Sequence, residues 1–438
     1  MSSSFYGMRG NNDWVTDQRP KNWRQVVLKF YQNGQVPLTA LLGAMKGEKT
    51  DDPEFNWWTN TYRNQGGAVT GIYKSADLST ANDGAAITVG QIMYVKMAEV
   101  TSKFMREGHQ VLLINSTDLS ENTNCIVTGV VQNGASSYAV VKALQTSTGD
   151  PDSAFDRILV VGNINAEGAV MPSAITSDPE KWYNYTQIFR NSLSMTRTAM
   201  KTRLRTGDSY QTAKMECLEQ HMVEMEKAIL FGYPSESIGA NGQPQRTTMG
   251  LVTAIRGIAH GTFGGYPDVY SDYSGVVSHF PTAYAGSTWL DKGEEWIDTI
   301  LEQIFRRGGN VRMAYCGNGA LLGISKIIKY YGKFEFVPTT SDYGLQVQRW
   351  TTNFGIVDFV THPLFNLETS LRNSAVLFEP KNLMYRYIDD TTFFAEGDQQ
   401  NTGAGRIDGK NEEYLTEAGL EFHDIAACGF MSGFNTNG

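Results

Sequence analysis

Residues 167–190 read EGAVMPSAITSDPEKWYNYTQIFR. The stretch shows neither the 3.6-residue period of an amphipathic helix nor the alternation of a half-buried strand. It contains Pro172 and Pro179 and gathers Trp182, Tyr183, Tyr185 and Phe189 near its end. A segment this long without an element of its own is, inside a compact domain, either functional or disordered. Disordered segments are poor in aromatics, and this one is rich in them. The reading is an ordered, extended arm whose aromatic side chains cover a surface beyond its own hairpin.

The regions on either side are strongly patterned. Upstream, residues 66–165 carry strand periodicity. GQIMYVKMAEVTSKFMREGHQVLLIN (90–115) holds two strands with a turn near Gly108. CIVTGVVQNGASSYAVVKAL (125–144) sets two β-branched runs around Asn133-Gly134, the favoured pair for a two-residue type I′ turn. DRILVVGNINAEG (156–168) adds another strand. Short strands this closely spaced predict a small β-barrel or sandwich over residues 80–165 or so. Earlier still, NWRQVVLKFYQNGQVPLTALLGAMKGE (22–48) and DPEFNWWTN (52–60) read as an arm, with Trp57 and Trp58 available for docking.

Downstream, residues 207–231 form the longest predicted helix. Asp208 is its N-cap, with Gln211 placed as in a capping box. Met215, Leu218, Met222, Met225 and Ile229 make one apolar stripe, and Gly232 and Pro234 end it. Just before it, Arg197, Lys201, Arg203 and Arg205 cluster; phosphate is one partner for such a group, and an acidic neighbouring subunit is the favoured reading. Residues 250–375 alternate helix and strand. A helix runs over 291–307, followed by strand VRMAYC (311–316), helix GALLGISKIIKYYG (319–332) and strands LQVQRW (345–350) and GIVDFVT (355–361). The tail returns to strands.

Composition narrows the class. The 438 residues are 41% hydrophobic and 19% charged, enough for two or three domains. A net charge of −9 argues against a free-standing nucleic-acid binder and suits a protein kept soluble at high local concentration. Cys125, Cys217, Cys316 and Cys428 lie far apart and read as free thiols of a reducing compartment. MSSSFYGMRGNNDW lacks the apolar core of a signal peptide, and no run reaches the roughly 20 apolar residues of a bilayer span, so no membrane partner is expected.

Catalytic motifs fail at their strictest positions. GAMKGEKT (43–50) nearly spells a phosphate-binding loop, but Glu48 separates Gly47 from Lys49, and its carboxylate would repel the phosphates. In VRMAYCGNGALLG, Gly323 falls one residue late for a dinucleotide turn. The six histidines match no metal-ligand spacing. His221 and Glu224 share a helix face and read as surface or interface groups. Asp389 and Asp390 are adjacent on a strand and point apart. No catalytic residue, cofactor or metal site is expected, and the chain is not read as an enzyme.

What remains is a set of extended arms, one long helix and an inserted β-module. In that order the chain resembles the major capsid proteins of tailed bacteriophages, in the branch with a β-barrel inserted in the extended loop. The resemblance is carried by NGQVPLTALLGAMKGEKTDDPEFNWW, by NYTQIFRNSLSMTRTA, by the helix from Asp208 with GYP and RTTMGL after it, and by VRMAYCGNGALLGISKI. NYTQIFR with RTTMGL is its most telling pair.

The resemblance implies an α+β fold. Its parts would be an N-terminal arm (1–60), an extended loop with the inserted barrel (61–190), a peripheral domain with the spine helix (191–250), an axial domain (251–375) and closing peripheral strands (376–438). It implies hexamers and pentamers forming an icosahedral shell around double-stranded DNA, with no sequence-specific DNA binding. Scaffolding, portal and decoration proteins are the implied partners, assembly occurs in the bacterial cytoplasm, and the product resides in the virion. Candidate contacts between subunits are Trp57, Trp58, Trp182, Tyr185, Phe189, Arg197, Lys201, Arg203 and Arg205. Two rival readings stand beside it. A nucleotide-acting α/β enzyme would need a deep pocket within 250–375. A different virion component, such as a decoration protein, would not need the long helix or the arms.

Overall fold

The computed structural model describes residues 47–59, 65–82, 86–147, 155–168, 170–176, 179–202, 208–257, 275–331, 337–340, 346–395 and 409–436. Arg203, Arg205 and most of the N-terminal arm lie outside them. The chain divides into two compact units, one of Met1–Trp57 with Lys181–Gly438 and one of Trp58–Glu180. Strand β1 (Glu48–Lys49) lies in the first unit, and the division after Trp57 falls within β2 (Glu54–Thr59).

The second unit is a closed barrel. Its strands are β3 (Gly66–Tyr73), β4 (Ile92–Met97), β5 (His109–Ile114), β6 (Asn122–Val131), β7 (Tyr138–Ala143) and β8 (Arg157–Asn163), in the order β3-β4-β7-β6-β5-β8. Closure leaves no sheet edge open to stray pairing. Period-two alternation fills the interior: β4 buries Met93, Val95 and Met97, and β5 buries Val111 and Leu113. The barrel thus starts at Gly66, ahead of the expected residue 80. Glycines hid β3, because Gly66, Gly67 and Gly71 blank out its alternation. Gly67 is required there, since a Cβ would lie 2.3 Å from the Thr101 hydroxyl.

The β6–β7 hairpin forms as expected, but its turn is not type I′. A 3₁₀ turn over Gly134–Ser136 connects the strands, and Asn133 has φ −149° where a type I′ turn needs a positive value. The Ser137 hydroxyl fixes this longer loop, accepting from Asn133 N at 2.9 Å and donating to Gly134 O at 2.8 Å.

In the first unit, β9 (Glu180–Tyr185) pairs with β2, and β10 (Gln187–Thr196) runs antiparallel to β20 (Gly409–Phe422) along its whole length. With β19 (Leu383–Phe394) they give a four-stranded sheet ordered β1-β19-β20-β10. Helix α1 (Arg197–Lys201) and the long α2 (Ser209–Phe231) follow β10. Asp208 caps α2 as expected, accepting from Tyr210 N at 2.9 Å. β11 (Ser235–Ile238) and β12 (Pro244–Thr247) form a separate hairpin.

The rest of this unit is a seven-stranded mixed sheet. It contains β13 (Val276–His279), β14 (Val311–Cys316), β15 (Val337–Thr340), β16 (Gln346–Thr351), β17 (Ile356–Thr361), β18 (Ser374–Phe378) and β21 (Gly429–Ser432), in the order β13-β21-β18-β14-β17-β16-β15. Helices α3 (Trp289–Phe305) and α4 (Asn318–Tyr331) pack with this sheet in one apolar core. A second core joins α2, β2 and β20 to residues of β14 and β18 such as Met313, Tyr315, Val376 and Phe378. The expectation that all C-terminal strands close the peripheral sheet is corrected. β19 and β20 pair in the four-stranded sheet with β1 and β10, but β18 and β21 pair inside the seven-stranded sheet. Both are almost wholly buried, which alternation-based reading cannot assign to a sheet.

Candidate assembly surfaces

The motifs that carried the resemblance meet at one place. Asn184 of NYTQIFR is fully buried. Its amide group donates to Leu420 O at 2.7 Å, to Met249 O at 3.2 Å and to Thr248 Oγ1 at 3.2 Å. Its carbonyl accepts from Met249 N and Tyr185 N, both at 2.8 Å. Thr248 and Met249 belong to RTTMGL. Gln187 Oε1 also accepts from Thr248 N at 3.2 Å. Pro53, of DPEF, accepts the Thr186 N–H at 2.8 Å. The backbones approach closely here: a Cβ on Gly250 would lie 2.6 Å from Gly232 N, and one on Gly419 2.7 Å from Tyr185 O. Three segments far apart in sequence thus lock the return strand to the end of α2.

That lock corrects the reading of the quoted stretch. From Glu180 onward it is strand, with a break at Thr186, and Trp182, Tyr183 and Phe189 serve their own subunit, while Tyr185 stays half-buried beside Tyr183. Tyr183 and Phe189 are buried, and Trp182 packs against the core that holds Phe55 and Trp57. The alternation was hidden because polar Asn184 and Thr186 occupy buried positions, where hydrogen bonds replace water. Trp57 is corrected likewise. It is buried edge-on to Phe422, with ring centroids 5.4 Å apart. Trp58, next along β2, points to the opposite face and is 64% exposed.

The first half of the stretch behaves differently. Residues 170–176 form no helix or strand, and Val170 and Met171 are 91% and 89% exposed. The segment is held at Ser173, whose carbonyl accepts from the Arg106 guanidinium. Sequence reading missed Val170 and Met171 as candidates, although two large apolar residues beside Pro172 were the available signal.

Along α2 the apolar stripe is half used. Met225 and Ile229 are buried, whereas Met215 is 63% exposed. A groove of about 430 Å³ runs between β10 and α2, lined by Arg190, Leu193, Ala213 and Cys217 among others. His221 is not a surface group as expected. It is fully buried, with Nδ1 2.7 Å from Asn191 Oδ1 and Nε2 2.8 Å from Thr416 Oγ1. An amide oxygen only accepts, so Nδ1 carries the proton and Nε2 accepts from the hydroxyl. Burial holds the His221 pKa below its ordinary value, against a smaller opposing pull from Glu224. Glu226 and His362 form a second buried pair at 2.7 Å. His362 Nδ1 accepts from Leu364 N, so Nε2 donates to the carboxylate. Of the basic cluster, Arg197 and Lys201 lie on α1, and both are largely solvent-facing.

The turns that resembled nucleotide sites are filled by protein. Glu48 and Lys49 pair with β19, and the Glu48 carboxylate takes Arg386 at 2.8 Å; Gly43–Lys46 of that motif lie outside the described residues. At the start of α4, a Cβ on Gly317 would lie 2.2 Å from Arg372 O and one on Gly319 1.9 Å from Asn373 Oδ1. Ala320 N and Gly317 N already donate to Arg372 O and Ser374 O. These glycines admit the neighbouring chain, which occupies the place of a phosphate. Among the described residues no group of three His, Cys, Asp or Glu could hold a metal ion, and no helix is long and apolar enough to cross a membrane.

Comparison with known proteins decides the family. The model of the SU10 major capsid protein family matches residues 9–435. The chain belongs to that family. It is a phage major capsid protein. A curated relative, the major capsid protein of Pseudomonas phage PaMx41, is 24% identical over 427 residues, covering 94% of this chain and 92% of that one. Among solved structures, the capsid of a native GTA particle aligns over 95% of this chain and 96% of its own at 7% identity, with a TM-score of 0.42. The capsid of Myoviridae phage XM1 aligns over 65% and 80% at 12% identity, with a TM-score of 0.34. Likenesses this distant add nothing to the assignment.

Proposed function

We propose that this capsid protein assembles with copies of itself into hexamers and pentamers that close an icosahedral shell around double-stranded DNA. The family match across nearly the whole chain supports this reading. So does the pair Val170 and Met171, whose exposure an isolated subunit gains nothing from. The arm before Glu180, with exposed Trp58, is the contact between copies. Arg197 and Lys201, with Arg203 and Arg205, face acidic surface on a neighbour. The shell is built in the bacterial cytoplasm with a separate scaffolding protein, receives portal and decoration proteins, and encloses DNA without reading its sequence. The net charge of −9 limits sticking of the packaged genome. The chain catalyses nothing, and its glycine turns hold protein in place of nucleotide. Negative-stain microscopy of the concentrated purified protein is expected to show rings and closed shells. Dispersed subunits at every concentration, with or without co-expressed scaffold, would contradict the proposal.

A further inference from the structure

Charge on the helical side of the seven-stranded sheet is sorted by helix. α3 places Asp291, Glu294 and Asp298 at steps of three and four residues, which is one line along the helix. That line lies opposite the buried Trp296, Ile300 and Ile304. None of the three carboxylates is ion-paired among the described residues, because Lys292 is taken by Glu295 and Arg306 by Glu302. α4 buries Ala320, Ile324 and Ile327 in the same core and turns Leu322, Lys326 and Lys329 outward. Leu322 is 49% exposed, and neither lysine has a carboxylate partner among the described residues. Partial burial, and then the neighbouring Glu294, push the Asp298 carboxyl upward, as expected for like charges held side by side. Among the described residues, the subunit therefore carries one unpaired acidic helix face and one unpaired basic helix face with an apolar centre.

We propose that these two faces are the two halves of one contact between copies, the α3 carboxylates of one copy meeting the α4 lysines of the next. The occupant is a second copy because the complementary charge is carried by the chain itself, which rests on the shell-forming reading above. Complementary patches at two different places on one subunit admit a head-to-tail contact, and such contacts form rings where the rotation between copies closes. The charges set partner orientation and association rate, and Leu322 supplies apolar burial at the centre.

Two charge-reversal variants test this: Glu294→Lys with Asp298→Lys on α3, and Lys326→Glu with Lys329→Glu on α4. Each alone is expected to raise the concentration needed for ring formation about tenfold or more, with cooperative melting retained. An equimolar mixture is expected to recover hexamers, because the two variants alternate around an even ring. It should not recover pentamers, because an odd ring must leave one like-charged contact. The isosteric pair Glu294→Gln with Asp298→Asn is expected to flatten the salt dependence of assembly. Rings forming from either reversal at the wild-type concentration would overturn the inference. So would a mixture that recovers nothing, or undiminished salt dependence in the isosteric pair. Failure of the wild-type chain to form rings would instead overturn the shell reading beneath it.

Discussion

The two halves of residues 167–190 adjoin in sequence and differ in structure, and all four aromatics fall in the half from Glu180. The half from Glu180 is ordered as two strands, buries Tyr183 and Phe189, and ties Asn184 into five hydrogen bonds. Among the described residues, the half before Ser177 is held by the Arg106 guanidinium at Ser173 and leaves Val170 and Met171 exposed. Aromatic content therefore marks the strand that serves its own core, not an arm that reaches beyond it. So does the partner count for the buried polar groups.

The comparison breaks first at Phe189. Phe189→Ser is expected to destabilise the unassembled subunit by about 3–5 kcal/mol, read as a lowered denaturant midpoint. A change under about 1 kcal/mol would return the return strand to the role of a free arm. Asn184→Ala comes next, at about 2–4 kcal/mol, because it strands several buried backbone groups rather than one. A near-neutral result would show that the meeting of the three motifs is a contact without energetic weight.

His221 gives a smaller, pH-dependent effect. Its proton affinity is depressed in the folded state, so below an unfolded value of about 6.5 the unfolded chain takes up the proton first. Stability is therefore expected to fall as pH drops below about 6.5, by up to about 1.4 kcal/mol per pH unit until the folded pKa is reached. His221→Gln should reduce that slope, leaving the part carried by buried His109, whose pKa burial also lowers, as measured by denaturation between pH 7 and 5. An unchanged slope would place the titrating group elsewhere. The smallest effect on the subunit belongs to Val170→Ser with Met171→Ser, expected within about 0.5 kcal/mol of wild type. A marked loss of stability would mean that these side chains pack within their own subunit.

The sequence carried much of the architecture where hydrophobic period and length agreed. The barrel's alternating strands, the capped helix from Asp208 and the strand–helix alternation after residue 290 were all legible. Where residues broke the period for local reasons, reading failed. Glycines demanded by close approach erased β3, and buried Asn184 and Thr186 disguised the start of the return strand. β18 and β21 carry no alternation because both their faces are covered. Trp57 and Trp58 look equivalent as a pair, yet strand geometry sends one inward and the other out. The exposure of Val170 was missed because sequence does not report what a neighbouring element fails to cover.

The most direct test is a cryo-EM reconstruction of the assembled shell, read at the arm before Glu180. The account predicts Val170 and Met171 buried against a neighbouring copy, while Phe189 stays in the core of its own subunit. Val170 and Met171 left facing solvent in the closed shell would contradict it.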